Sequence, residues 1–97
     1  PDQKTRAEIF AIHLAKRKQD PAVFDIAALA AASDHFSGAE IEQAVVAALY
    51  TALAQQQSLQ TAGVLEELSR TRPIAVVMAE DVAALREWAE GRTVAAG

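Results

Sequence analysis

The chain has 97 residues, 52% of them hydrophobic and 23% charged, with a formal net charge of −4. That is enough apolar material for one compact domain, and the acidic balance argues against sequence-independent binding to nucleic-acid phosphates, so no nucleic-acid partner is expected. With no cysteine there is no disulfide framework or thiolate nucleophile, and the two histidines, His13 and His35, lack the neighbours that a metal site needs.

One Trp, one Tyr and three Phe leave the core to Leu, Ile, Val and many alanines, which favours closely packed helices over a sheet. The expected fold is all-α, a small bundle of about four to five helices. The longest apolar runs are interrupted well before membrane-spanning length, and no basic-then-apolar signal segment opens the chain, so the expectation is a cytoplasmic protein with no membrane role. The chain opens on Pro1 rather than methionine, which reads as a fragment or a processed product, with the chemistry held in a part outside it.

Gln3 to Lys18 reads as the first helix, with Asp2 as N-cap, Glu8 near its start and Lys16-Arg17-Lys18 at its end, an order that suits the helix dipole. At about 100° per residue, Ala7, Phe10 and Leu14 share one face, and Ile9 and His13, four apart, share another. Ile9 and His13 read either as the edge of a wide apolar stripe or as a second contact surface. Gln19-Asp20-Pro21 ends this helix, because proline disfavours helical geometry in the residue before it. Asp25 then caps a short second helix to about Ala32, with Ile26, Leu29 and Ala30 at helical spacing. Ser33-Asp34-His35 forms the turn into the next element, and histidine tolerates positive φ better than most residues.

Ser37 is a good N-cap, and Glu40 three residues on completes a capping box. Phe36 and Ile41 flank it as a hydrophobic staple, which fixes the entry angle of the chain. Gly38 and Ala39 leave nothing larger than a methyl over a helix end whose amides point outward with partial positive charge, so a flat ligand can approach the backbone there. The third helix follows, with Ile41, Ala44, Val45, Ala48, Leu49, Ala52 and Leu53 in an unbroken helical pattern that marks the buried spine. Its other face carries Glu42 and Gln43, and Gln55-Gln56-Gln57 reads as a solvated end.

Thr61 is expected to cap a fourth helix to about Thr71, with Val64, Leu65 and Leu68 inward. Arg70 and Arg72 near its end suit the helix dipole, and the alternative is a contact to a phosphate or a neighbouring subunit. Pro73-Ile74-Ala75-Val76-Val77 reads as an extended segment. Ala79 to Glu90 reads as the last helix, stopping at Gly91, with Val82, Leu85 and Ala89 on one side and Trp88 as a packing anchor or a docking residue. Residues 1–92 make up the domain and 93–97 a loose tail.

Ser-Gly-Ala followed by an acidic and an aliphatic residue, at Ser37 to Ile41, resembles the signature of AAA ATPase lid domains, in the branch that includes FtsH-like proteases and unfoldases. No arginine lies between Ser37 and Ala48, which fits that branch and not those with a sensor arginine near this helix start. Arg6-Ala7-Glu8-Ile9-Phe10-Ala11-Ile12-His13-Leu14 is similar to the first helix of such lids. Ala84-Leu85-Arg86-Glu87-Trp88-Ala89 looks like a trailing element of one poorly characterised AAA subfamily of cyanobacteria and chloroplast genomes. The resemblance implies that Gly38 and Ala39 border the adenine and ribose of ATP or ADP, that Ile9 is an apolar wall against the base, and that His13 is a hydrogen-bonding or stacking neighbour. It also implies a preceding AAA+ large domain, neighbouring subunits of a ring and a protein substrate as partners. Where related chains usually carry glycine this one has His35, which is read as structural.

ATP hydrolysis needs a glycine-rich phosphate loop with lysine and acidic residues that hold magnesium, and this sequence has no such loop. No catalytic or metal-binding residue is therefore expected here, and magnesium falls to the P-loop domain. Glu66-Glu67 and Glu80-Asp81 read as solvated faces. The expected function is a lid over nucleotide held mainly by another domain, inactive alone. The alternative is a free-standing helical adaptor that binds a protein through Ile9, Ile12 and Trp88.

Overall fold

A computed structural model describes residues 1–96 of the backbone and residues 1–91 with their side chains. Five α-helices follow one another: α1 (Gln3–Lys16), α2 (Ile26–Ala32), α3 (Gly38–Ala54), α4 (Thr61–Arg70) and α5 (Ile74–Ala96), with a single 3-10 turn at Pro21–Val23. There is no strand among the described residues, so the all-α expectation holds. The first four helices form the body, where α1 packs on α2 and α3, and α4 closes against α2 and α3.

Local chemistry accounts for most of the helix starts. Asp2 accepts from the Thr5 amide at 2.8 Å, Asp25 accepts from the Ala28 amide at 3.0 Å, and Ser37 and Glu40 form the reciprocal capping box. α4 departs from expectation. Its N-cap is Gln60, without a side-chain cap bond, and Thr61 is the first helical residue, its Oγ1 accepting instead from the Asp25 amide 3.0 Å away. That bond ties the start of α4 to the start of α2.

α1 and α3 end in paired backbone bonds around a left-handed residue. Lys18 (φ 62°) and Gln56 (φ 56°) donate to Ala15 and Leu53, and the following Gln19 and Gln57 donate to Leu14 and Ala52. These are Schellman motifs built without glycine. α1 thus stops at Lys16, two residues earlier than the basic run suggests. His35 has φ 67°, the left-handed geometry expected of that turn.

The core consists of Phe10, Leu14, Phe24, Leu29, Phe36, Ile41, Val45, Val64 and Leu68 with small residues between them. Phe36 and Ile41, on either side of the cap, both join it. α3 is the spine, although Leu49 is only partly buried and Leu53, at the end of the pattern, is 62% exposed while its neighbour Ala52 is buried.

The C-terminal third corrects the sequence reading. Pro73 to Val77 is no extended segment. Proline occupies the position just before the first helical residue, and the amides of Val76 and Val77 both donate to the Pro73 carbonyl. Proline costs nothing at such a start, since its missing N–H has no helical partner there. Nor does the helix stop at Gly91. It continues to Ala96, through most of the expected tail, and Gly97 lies outside the described residues. α5 contributes no buried side chain between residues 74 and 91; Leu85 is 63% exposed, and Trp88, expected as a packing anchor, is 59% exposed.

Candidate functional site

The four residues singled out in sequence lie along the seam between α1 and α3. The Cδ1 of Ile9 sits 3.6 Å from where a Cβ on Gly38 would be, so the glycine is in direct register with the isoleucine. One turn further along each helix, the Nδ1 of His13 lies 3.4 Å from Oε2 of Glu42. Ile9 with Gly38 and His13 with Glu42 are two successive rungs, and the two helices therefore run side by side in the same direction. Ile9 packs against the edge of the core, His13 and Gly38 are half-buried, and Ala39 is exposed beside them.

The backbone at this seam has two donors to spare. In the capping box Glu40 Oε1 accepts from the Ser37 amide at 3.0 Å, and Ser37 Oγ accepts from the Glu40 amide at 3.2 Å. Ile41 donates to the Ser37 carbonyl. The amides of Gly38 and Ala39, the first two of α3, are left without an intrahelical acceptor, at the positive end of a helix of 17 residues. A ligand with hydrogen-bond acceptors and a flat apolar body fits what these four residues offer. The seam is open on one side, so it can form one wall of a site and not an enclosed one.

Clefts lie elsewhere among the described residues, at places not lined by Ile9, His13, Gly38 or Ala39. One of about 620 Å³ separates the end of α3 from α4, between Thr51, Gln55, Gln60 and Arg70. Another of about 570 Å³ lies between Arg6, the Asp34–Ser37 turn and the start of α5. Among the described residues, no group of three or more His, Asp or Glu side chains is arranged to hold a metal ion, and no helix is long and apolar enough to cross a membrane.

Sequence reasoning missed the supporting roles of Arg17 and Arg6, and of Glu40 beyond its capping box. Arg17 donates from Nη2 to Glu42 at 2.9 Å and places Nη1 3.3 Å from His13 Nδ1 and 3.1 Å from the His13 carbonyl. The hydrogen bond from Arg17 is the main reason that the Glu42 carboxyl is held below its ordinary value; desolvation opposes it. The spacing of His13 and Arg17, four apart on one helix, is the available signal, although Lys16-Arg17-Lys18 reads first as a basic helix end. Glu40 does double duty: its second oxygen accepts from the Ile74 amide at 2.8 Å, so one carboxylate caps α3 and holds the first residue of α5. Backbone bonds from Ser37 and then Ile74 push the Glu40 carboxyl down. Arg6, only 6% exposed, reaches the Ala30 carbonyl, Ser33 Oγ and the Pro1 carbonyl.

The two cations near the end of α4 are both paired within the chain. Arg70 meets Glu66 at 3.1 Å and Glu67 at 2.8 Å, and Arg72 meets Glu80. The acidic pairs are thus partners of the arginines, on an exposed surface where such pairs contribute little to stability.

The chain is related to AAA domain-containing proteins. It is 36% identical over 90 residues to the uncharacterized AAA domain-containing protein ycf46 of Guillardia theta, an alignment that covers 92% of this chain and 18% of that protein. It is 34% identical over 90 residues to the protein of the same name from Gracilaria tenuistipitata var. liui, again 92% and 18%, and 35% identical over 94 residues to that of Pyropia yezoensis, 95% and 19%. The chain thus spans less than a fifth of the length of the curated relatives it matches. No family model and no solved structure matches it.

Proposed function

We propose that this chain is the helical lid of an AAA+ ATPase. It closes over ATP or ADP bound mainly by a P-loop domain outside this chain, which also holds the magnesium. The observation that carries the reading is the α1–α3 seam, where Ile9 abuts Gly38, His13 lies one turn on, and the amides of Gly38 and Ala39 stay free for acceptors on the base and ribose. The open side of the seam also supports it, since a lid supplies only half of a site. In the whole protein, nucleotide state sets the angle between lid and large domain, and neighbouring subunits of a cytoplasmic ring turn that motion into work on a protein substrate. The relatives' names and the small share of their length that the chain spans support a parent protein of this kind.

Gly38→Leu in the intact protein tests the site. A Cβ at Gly38 makes only ordinary contact with Ile9 and the backbone there needs no glycine, so the lid stays folded. The larger side chain projects over the free amides, and ADP affinity is expected to fall by tenfold or more, about 1.4 kcal/mol. Unchanged affinity, measured by calorimetry on a variant with unaltered circular dichroism, rules out the nucleotide assignment.

A second reading, a helical protein-interaction adaptor, has one observation in its favour: Ile74, Met78, Val82 and Leu85 form an exposed apolar stripe along α5. Of the strip named for it in sequence, Ile12 and Trp88 are exposed, but Ile9 is packed against the core.

A further inference from the structure

We infer that Arg17 and Glu42 set the tautomer of His13, so that its Nε2 always presents a hydrogen to the ligand; the ligand half of this rests on the reading of the seam as a nucleotide wall. The argument starts from what each group can do. A guanidinium has five N–H donors and no acceptor. Arg17 Nη1 lies 3.3 Å from His13 Nδ1 and its Nη2 is fixed on Glu42 at 2.9 Å, so the fork cannot turn away without losing its carboxylate. Nη1 carries two hydrogens, one for the His13 carbonyl at 3.1 Å and one for Nδ1. Because Glu42 Oε2, at 3.4 Å from Nδ1, is already engaged by Nη2, an unprotonated His13 answers the N–H with its lone pair, which leaves the ring hydrogen on Nε2. When the ring is protonated, Nδ1–H gains Glu42 Oε2 as its neighbour at 3.4 Å, and Nε2 again carries a hydrogen. In both states Nε2 is a donor.

The chemistry of the ligand atom follows. It must be an acceptor, such as a purine ring nitrogen with a free lone pair or a sugar hydroxyl oxygen, and a base edge that offers only N–H is refused at this point. Gly38 and Ala39 offer donors as well. All three polar contributions of the seam thus select for acceptors. Arg17 and Glu42 are positioning residues here, since neither has to touch the ligand. As an ion pair alone, half-exposed, they contribute little to folding.

The test is nitrogen-15 NMR of the imidazoles in the 97-residue chain, on the alkaline plateau of their titration, with His35→Gln removing the other histidine signal. The expected result for His13 is a bare Nδ1 and a protonated Nε2. Arg17→Met removes the opposing donor and leaves Glu42 beside Nδ1, so the hydrogen moves to Nδ1. Arg17→Lys keeps a donor and keeps the original tautomer. A wild-type His13 protonated at Nδ1, or a tautomer that Arg17→Met does not move, overturns the inference. In the intact protein, Arg17→Met is expected to weaken ADP binding roughly two- to tenfold, the range of one neutral hydrogen bond, with Arg17→Lys restoring it. If the tautomer responds as stated but His13→Ala leaves ADP affinity unchanged, the tautomer assignment stands and the nucleotide reading falls.

Discussion

Arg6 is the side chain on which the body of the domain depends most heavily for its polar bonds. It comes from the second turn of α1, and its acceptors, the Ala30 carbonyl and Ser33 Oγ, sit at the C-terminal end of α2, where the dipole also favours a cation. Arg6→Met keeps the apolar stem and removes these bonds. The expected loss is about 2–3 kcal/mol, the range for hydrogen bonds to a charged group, since the Ala30 carbonyl keeps the Ser33 hydroxyl as a donor, and it is read as a lower urea midpoint with unchanged slope. Nothing in the sequence marks this arginine, because its partners are 24 and 27 residues away and an arginine early in a helix looks like a surface residue. The capping box marks Gly38 and Ala39 as a bare helix end and helical spacing places Ile9 and His13 on a shared face, but only resemblance groups the four, and neither signal says that Gly38 faces Ile9. Arg17 and Glu42 were hidden for the same reason, since their pairing joins two helices.

Between elements, the joint that matters is Glu40. It caps α3 with one oxygen and holds the start of α5 with the other. Because both bonds favour the ionised form, its folded pKa lies below the unfolded one. Its stabilising contribution is therefore present in full above the unfolded value, about 4.3, and is lost as the pH falls through the lowered folded value. Glu40→Gln is expected to cost about 1 kcal/mol at pH 7, typical of a lost cap, and the gap between wild type and variant is expected to close below about pH 4. Urea unfolding of both proteins from pH 7 down to pH 3 measures it, and a gap that stays constant with pH assigns the loss to something other than the charge. The elements themselves were mostly legible, because caps and apolar periodicity agree in α1 to α3. The extended reading of the start of α5 rests on the β-branched Ile74, Val76 and Val77 after a proline, both strand-like signals, whereas the helix needs that proline only as a starter. Gly91, a usual stop, is carried along because no left-handed turn forms there; the left-handed residues that end α1 and α3 are Lys18 and Gln56, which no propensity rule picks out.

At the scale of the whole molecule the chain is a compact body with a projecting rod. All of the core side chains lie between Phe10 and Leu68, and at about 1.5 Å per residue the 23 residues of α5 reach about 35 Å, a large part of the 62 Å long axis. The rod is tied to the body by the Glu40 bond to Ile74, whereas the exposed ion pair of Arg72 with Glu80 joins it only to the loop that precedes it. Burial stabilises a fold in proportion to the apolar area removed from water, and α5 removes little of its own. The body should therefore fold without it. A chain ended after Arg72 is expected to unfold cooperatively, with stability reduced by no more than about 1 kcal/mol, the worth of the lost hydrogen bond, and with a denaturant slope close to that of the full chain, because the slope follows the surface exposed on unfolding. Urea titrations followed by circular dichroism provide both numbers. A loss of several kcal/mol, or a broad transition without a baseline, means that the apolar stripe of Ile74, Met78, Val82 and Leu85 packs on the body in solution. If the truncated chain behaves as expected, α5 has no apolar packing on the body to hold it, and its tie to α3 is the bond to Glu40, two residues from Gly38, so a ligand at that turn sits next to the joint between rod and body.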